Sequence, residues 1–266
     1  MQYFDVHAHI FPHDIAGKAV SYLENYYGFV WQGTAEVEDL AASCRASGID
    51  KCVIFSSATK PEQVRKINDF IAATCAAYPG LFIGMGTMHP DYPDMANEFD
   101  RIRSLGLKGV KFHPDFQNFA IDDPAAMEMY RLAGNDLVML FHVGDENRDI
   151  SAPFRLANAA DEFPQAAIIA AHMGGYSRWD EAEKYLVGRN IYLDVSSSVS
   201  TGKLSVDDFR RLIRAHGVDK ILFASDYPAV KHEKAISDTL LADLTDEEME
   251  KIFFRNAEKI FGVKCR

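Results

Sequence analysis

The sequence predicts an α/β protein folded as a single-domain, closed (β/α)8 TIM barrel over residues 1–266, and three observations carry that expectation. Short apolar runs alternate with amphipathic stretches of helical length along the whole chain. The runs show little polar alternation, which suits strands covered on both faces within a parallel sheet. The chain has 266 residues with 48% apolar composition, close to the roughly 250 residues that such a barrel needs. An open doubly wound sheet satisfies the same alternation. However, no Gly-x-Gly-x-x-Gly follows the first run, which weakens a dinucleotide-binding reading.

Strands are expected over residues 3–7, 52–55, 81–85, 109–112, 137–142, 167–172, 191–195 and 221–224. The helix expected over 35–46 opens after Thr34, an N-cap residue type, and ends near Gly48. The next, 61–77, starts with proline at its first position and stops before Pro79-Gly80. A third, 92–105, ends at Gly106, and 124–133 follows Asp123. Helices over 152–162, 179–187 and 206–215, and a helical region from 232 to 254, complete the alternation.

The formal net charge is −11. Phosphate binding needs clustered Lys and Arg, so an acidic chain is a poor fit to nucleic acid or an anionic membrane. The expected partner is a small-molecule substrate, and a homo-oligomer is compatible with the sequence. No apolar run approaches the roughly 20 residues of a membrane span. The opening Met1-Gln2-Tyr3-Phe4-Asp5 has neither the basic region nor the apolar core of a signal peptide. Cys44, Cys52, Cys75 and Cys265 show no Cys-x-x-Cys spacing and read as reduced thiols of a cytoplasmic protein.

Barrel active sites lie at the C-terminal ends of the strands, so the reactive side chains that end the apolar runs matter most. His7 and His9, at i and i+2 of the first strand, point the same way, and imidazole is the commonest protein ligand for zinc and similar metals. Strand 3 runs on to His89, strand 4 carries Lys111 and His113, strands 5 and 6 end in His142 and His172, and strand 8 ends in Asp226. Only His13, His216 and His232 of the nine histidines fall elsewhere. Taken singly, Lys111 reads as a solvated lysine or a structural ion pair and Asp226 as a turn or helix cap before Pro228. Their convergence on one rim points to a metal. Phe55, Ser56, Ser57, Tyr176, Arg178, Trp179 and Ser196 also fall on that rim. Lys111, His113 and Arg178 are cationic or donor groups suited to a carboxylate-bearing substrate.

Six segments stand in order along the chain: Asp5-Val6-His7-Ala8-His9, Gly109-Val110-Lys111-Phe112-His113-Pro114, Phe141-His142-Val143-Gly144, Ala171-His172-Met173-Gly174-Gly175, Ser225-Asp226-Tyr227-Pro228 and Asn256-Ala257-Glu258-Lys259-Ile260-Phe261. Through them the sequence resembles the amidohydrolase superfamily, and within it amidohydrolase family 2. The resemblance implies a barrel with one divalent metal at its mouth, held by His7, His9, His142 and Asp226. Zinc suits imidazoles plus a carboxylate, with Mn²⁺, Fe²⁺ or Co²⁺ as alternatives. Asp226 and His172 are the implied catalytic residues, Asp226 taking a proton from metal-activated water and His172 polarising a carbonyl or acting as acid and base. In some branches a carbamylated lysine at the position of Lys111 bridges two metals; the Lys-Phe-His-Pro form here favours one metal and a free lysine. The implied reaction is hydrolysis of a C–N or C–O bond of a small carbonyl compound. The alternative is a lyase, a non-oxidative decarboxylase or hydratase acting on an aromatic or unsaturated carboxylate. Decarboxylases of that branch tend to be longer than this compact chain, which tilts the expectation toward hydrolysis.

Overall fold

In the computed structural model, which describes residues 1–265, β1 (Phe4–His9) pairs in parallel with β2 (Lys51–Phe55), and β2 with β3 (Phe82–Gly84). A second parallel ladder runs through β4 (Gly86–Thr87), β5 (Gly109–Phe112), β6 (Val138–Phe141), β7 (Ile168–Ala170), β8 (Tyr192–Asp194) and β9 (Ile221–Leu222). Two seams join the ladders into a barrel. The third barrel strand breaks at Met85 into β3 and β4. There Met85 N–H donates to Ile54 O at 3.0 Å and Lys108 N–H to Gly84 O at 2.8 Å. At the other seam, Val6 N–H donates to Phe223 O at 3.1 Å and Asp226 N–H to His7 O at 2.9 Å. Ala8 bridges Tyr227 in parallel beside them. All eight expected barrel strands are therefore present, one of them split.

The alternation of the strands sorts the core into two layers. Val53 and Phe55 join Phe4, Val6, Leu140, Ile169 and Leu222 inside the barrel. Cys52 and Ile54 face the layer between barrel and helices. Strand β1 carries an irregularity of consequence. Asp5 pairs with Cys52 but Ala8 with Ile54, so one extra residue stands between them. This bulge lets Val6 and His7 both face the interior, with His9 following and Ala8 turned out. Bulges re-aim side chains in this way beside active sites.

Nine of the helices follow the expected alternation or divide an expected stretch. Helix α2 is Val37–Ser47, two residues later than expected, because Ala35 has φ +61° and Glu36 becomes the cap. Helices α3 (Val64–Ala77), preceded by a 3₁₀ turn at Pro61–Gln63, α4 (Met95–Ser104), α6 (Pro124–Ala133), α7 (Pro153–Glu162), α8 (Trp179–Tyr185) and α9 (Val206–His216) agree with expectation to within a few residues. Ser205 caps α9 by accepting from Asp208 N–H at 3.1 Å. The region 232–254 breaks after α10 (His232–Leu240), resumes as α11 (Asp246–Glu250) behind a Thr245 cap, and passes through a π turn into α12 (Asn256–Phe261). Helix α12 closes the bottom of the barrel, with Phe261 stacked on Phe4 at 5.7 Å.

Three helices were not expected: α1 (His13–Tyr27), the single turn α5 (Pro114–Gln117) and α12, which begins two residues past the expected end. Helix α1 lies between β1 and α2 and buries only Ala16 completely. Its inner face looks onto the mouth of the barrel instead. Among the described residues no helix is long and apolar enough to cross a membrane.

Candidate metal centre and active site

The bulge in β1 brings His7 and His9 together at the mouth, with Nε2 atoms 3.1 Å apart. Asp226, just past β9, places Oδ1 at 3.3 Å from His7 Nε2 and 3.6 Å from His9 Nε2. Neighbouring donors around one small divalent cation, at bonds of about 2.1 Å, stand roughly 3.0–3.4 Å apart. Tautomers agree with that arrangement. His7 Nδ1 lies 2.9 Å from Asp194 Oδ2, which can only accept, so Nδ1 carries the proton and Nε2 presents its lone pair to the cluster. Burial first, and Lys111 next, lower His7 well below the usual imidazole value; burial also lowers His9. Both are therefore neutral, the form that ligates. Asp226 shows the opposite: against the burial that would raise it, His7, His9 and His172 hold its carboxyl well below the usual range.

His142 joins the cluster through His172. His172 Nδ1 donates to Ser196 O at 3.1 Å, so its Nε2 accepts from His142 Nδ1 at 3.0 Å. That leaves His142 Nε2 as a buried lone pair with no hydrogen-bond partner. Three of the four expected ligands thus meet at one point. The fourth offers an unused nitrogen behind His172, grouped with the buried carboxylates of Asp115 and Asp145. His172 stands 4.0 Å from Asp226 Oδ2 through Nδ1. A divalent metal fits His7, His9 and Asp226 by donor spacing and tautomer, whereas the unpartnered His142 nitrogen lies with Asp115 and Asp145 rather than at that point.

The cluster forms the floor of a cavity of ≈ 460 Å³. Its wall is aromatic. His113 stacks on His142 at 4.1 Å and 9°, and Phe116 on His113 at 4.1 Å and 22°. Tyr27 meets Tyr176 edge to face at 5.2 Å, and Tyr27 Oη lies 3.0 Å from His113 Nε2. His113 is on the wall as expected, with Ser57 and Tyr176. Lys111 and Arg178 are not. Lys111 is fully buried beneath His7, its Nζ 3.4 Å from His7 Nε2, and burial pushes its amine down to about 7. Arg178 is turned outward, where Asp149 holds Nη1 at 2.7 Å and Glu181 holds Nε at 2.7 Å. The guanidinium on the wall belongs to Arg148.

The amidohydrolase sequence pattern matches residues 4–263, almost the whole chain. The protein belongs to the amidohydrolase family. Among curated proteins, this amidohydrolase is 22% identical over 286 residues to the gamma-resorcylate decarboxylase of Polaromonas sp. strain JS666, covering 85% of this chain and 83% of that one. Its fold resembles that of 2,6-dihydroxybenzoate decarboxylase from Rhizobium, at a TM-score of 0.74 and 19% identity over 98% of this chain and 99% of that chain. It also resembles the dihydroxybenzoic acid decarboxylase of Polaromonas sp. JS666, solved with manganese and 2-nitroresorcinol, at a TM-score of 0.73 and 18% identity over 98% and 97% of the two chains.

Sequence reasoning missed three contributors to the amidohydrolase site. Asp194 orients His7 and also accepts from His172 N–H at 3.0 Å and Ser196 N–H at 3.1 Å. It ends an apolar strand just as Asp226 does, and that position was its signal. Arg148 lies in a loop with no periodicity to mark it. The tyrosines of α1 were legible in principle: Ala19, Leu23, Tyr26 and Tyr27 recur at helical spacing and all line the cavity. Backbone strain marks the same rim. Among the described residues, five of the eight non-glycine residues with positive φ (His172, Met173, Tyr176, Ser197 and Asp226) stand at the barrel mouth. Such strain gathers at active sites, where the surrounding structure holds it.

Proposed function

We propose that this amidohydrolase is a metal-dependent decarboxylase of a single-ring hydroxylated aromatic carboxylate. The observation that carries the reading is the aromatic wall built by Tyr27, Phe116, Tyr176 and His113 above the His7, His9 and Asp226 cluster. Flat, apolar faces with a few convergent polar groups at one end suit a planar ring whose carboxylate points down. The decarboxylases it resembles act on substrates of this class. Hydrolysis, the first expectation from sequence, rested partly on compact length, yet the structural matches span 97–99% of those decarboxylase chains.

A divalent metal held by His7, His9 and Asp226, with His142 as a fourth ligand only after its ring turns from Asp115 and Asp145 toward them, would neutralise and orient the substrate's carboxylate and an adjacent oxygen. The remaining work falls to side chains. Arg148 supplies positive charge on the wall for an anionic substituent. Tyr27 and His113 fix the ring through one hydrogen bond and their faces. As the C–C bond to the carboxylate breaks, CO₂ leaves and one proton must reach the vacated ring carbon. Asp226 and His172 are the pair assigned to move it, since Asp226 is held ionised and His172 Nδ1, whose proton is now directed to Ser196 O, stands 4.0 Å from Asp226 Oδ2.

The test is a panel of hydroxybenzoates incubated with manganese- and zinc-loaded protein in deuterated water. Release of CO₂ with deuterium at the vacated carbon, lost in a folded Asp226→Asn variant, is expected. Cleavage of amides, esters or lactones with no CO₂ from any benzoate would overturn the reading in favour of hydrolysis.

A further inference from the structure

We propose that Cys44, Cys52, His232 and Asp5 form a second metal site, structural rather than catalytic, which takes one zinc ion or a cation of similar softness. They come from α2, β2, α10 and β1 and meet in the layer between the barrel and its helices, all fully buried. Cys44 Sγ lies 3.9 Å from His232 Nε2, Cys52 Sγ 3.9 Å from Asp5 Oδ2, and His232 Nε2 3.0 Å from Asp5 Oδ2. The two sulfurs and the imidazole nitrogen all stand within 4.8 Å of one another. Tetrahedral zinc, with bonds of about 2.3 Å to sulfur and 2.0–2.2 Å to nitrogen or oxygen, sets neighbouring donors roughly 3.3–3.8 Å apart. Small side-chain shifts close the site. Two sulfurs, one imidazole and one carboxylate are a zinc donor set, and the pairing is unlike the sulfur-free set at the barrel mouth.

The surroundings hold these donors in place. Ser43 Oγ anchors His232 Nδ1 at 2.7 Å, and without metal Nε2–H donates to Asp5 Oδ2 at 3.0 Å, which holds that nitrogen among the other donors. Asp5 Oδ1 accepts from His7 N–H at 2.9 Å and Ser225 N–H at 3.0 Å, and Oδ2 from Ser225 Oγ at 2.6 Å. Such outer hydrogen bonds orient ligands and spread their charge. On binding, the two thiols and His232 Nε2 all release protons to solvent, the last although, against burial, the hydrogen bond to Asp5 raises the ring to about 9. The surplus negative charge rests on Asp5, where its backbone and Ser225 donors already point. A hydrogen bond from Cys52 first, then His232, brings the Cys44 thiol down to about 6 against burial, so it ionises readily. The donors span 227 positions of sequence, and no spacing motif announces them.

Cobalt separates the two sites. Metal-free full-length protein refolded with Co²⁺ should show the near-ultraviolet thiolate-to-cobalt charge-transfer band, which His7, His9, His142 and Asp226 cannot produce. Cys44→Ser and Cys52→Ser should each abolish the band and remove one metal equivalent by elemental analysis, whereas Cys75→Ser should leave both unchanged. The wild-type spectrum needs no variant and decides the matter if the serine variants fail to fold. An absent band, or a Cys44–Cys52 disulfide found by peptide mapping of metal-free protein, would overturn the proposal.

Discussion

At His7 the proton sits on Nδ1 because Asp194 Oδ2, 2.9 Å away, can only accept it. This single hydrogen bond decides which nitrogen meets His9 and Asp226. Asparagine at position 194 keeps the shape but removes the charge that strengthens the bond and the basicity it lends to the imidazole. We expect Asp194→Asn to weaken metal binding by roughly 10- to 100-fold while far-ultraviolet circular dichroism stays unchanged; titration calorimetry that shows wild-type affinity would remove Asp194 from the site. A second residue-scale prediction concerns His216, away from the cavity. Gly188 N–H donates to its Nδ1 at 3.1 Å, and its Nε2–H donates to Ile191 O at 2.8 Å, which requires the neutral ring. Burial lowers its value below the usual imidazole one. Its contribution to stability is therefore complete above the unfolded value of about 6.5 and is lost as pH falls through the lower folded value. A His216→Gln variant should lose less stability than wild type between neutral and mildly acid pH, read as denaturation midpoints across that range. Parallel curves would refute it.

The loops after β6 and β7 carry His142 and His172, and they touch through glycine. Gly144 has φ +88°, and a Cβ there would stand 2.4 Å from Gly175 O. Alanine must both strain its own backbone and part the two loops. Gly144→Ala should cost on the order of 2–3 kcal/mol in chemical denaturation and lower turnover in the same protein, since both histidines ride on the displaced segments. An unchanged denaturation midpoint would show that the loops accommodate it. The elements differ in how openly the sequence announces them. Buried parallel strands are apolar almost throughout, so all eight were readable, and the proline and glycine punctuation of α3 and α2 located those helices within a few residues. Helix α1 escaped notice because its inner face meets a cavity rather than the core, so its apolar stripe is diluted by tyrosine. The histidines and Asp226 were legible because strand ends fix their destination. Lys111 and Arg178 were misplaced because long side chains choose among partners that only folding supplies. Arg178 found Asp149 and Glu181, and Lys111 was drawn under His7 toward Asp194 and Asp226.

Taken whole, the molecule divides its labour between the barrel and what is laid across it. The polar cluster hangs from strand ends, braced by Asp194 and by the seam where β1 meets the segment after β9. Part of the wall facing it comes from α1, a length of chain between β1 and α2 that contributes no strand and little to the core, and the rest largely from the segments that carry His113, Phe116, Arg148 and Tyr176. Part of the selectivity therefore resides in a stretch of polypeptide separate from the chemistry. Mutations in α1 can redraw what enters while the reacting groups keep their positions, and descendants of this barrel are free to change diet faster than they change reaction.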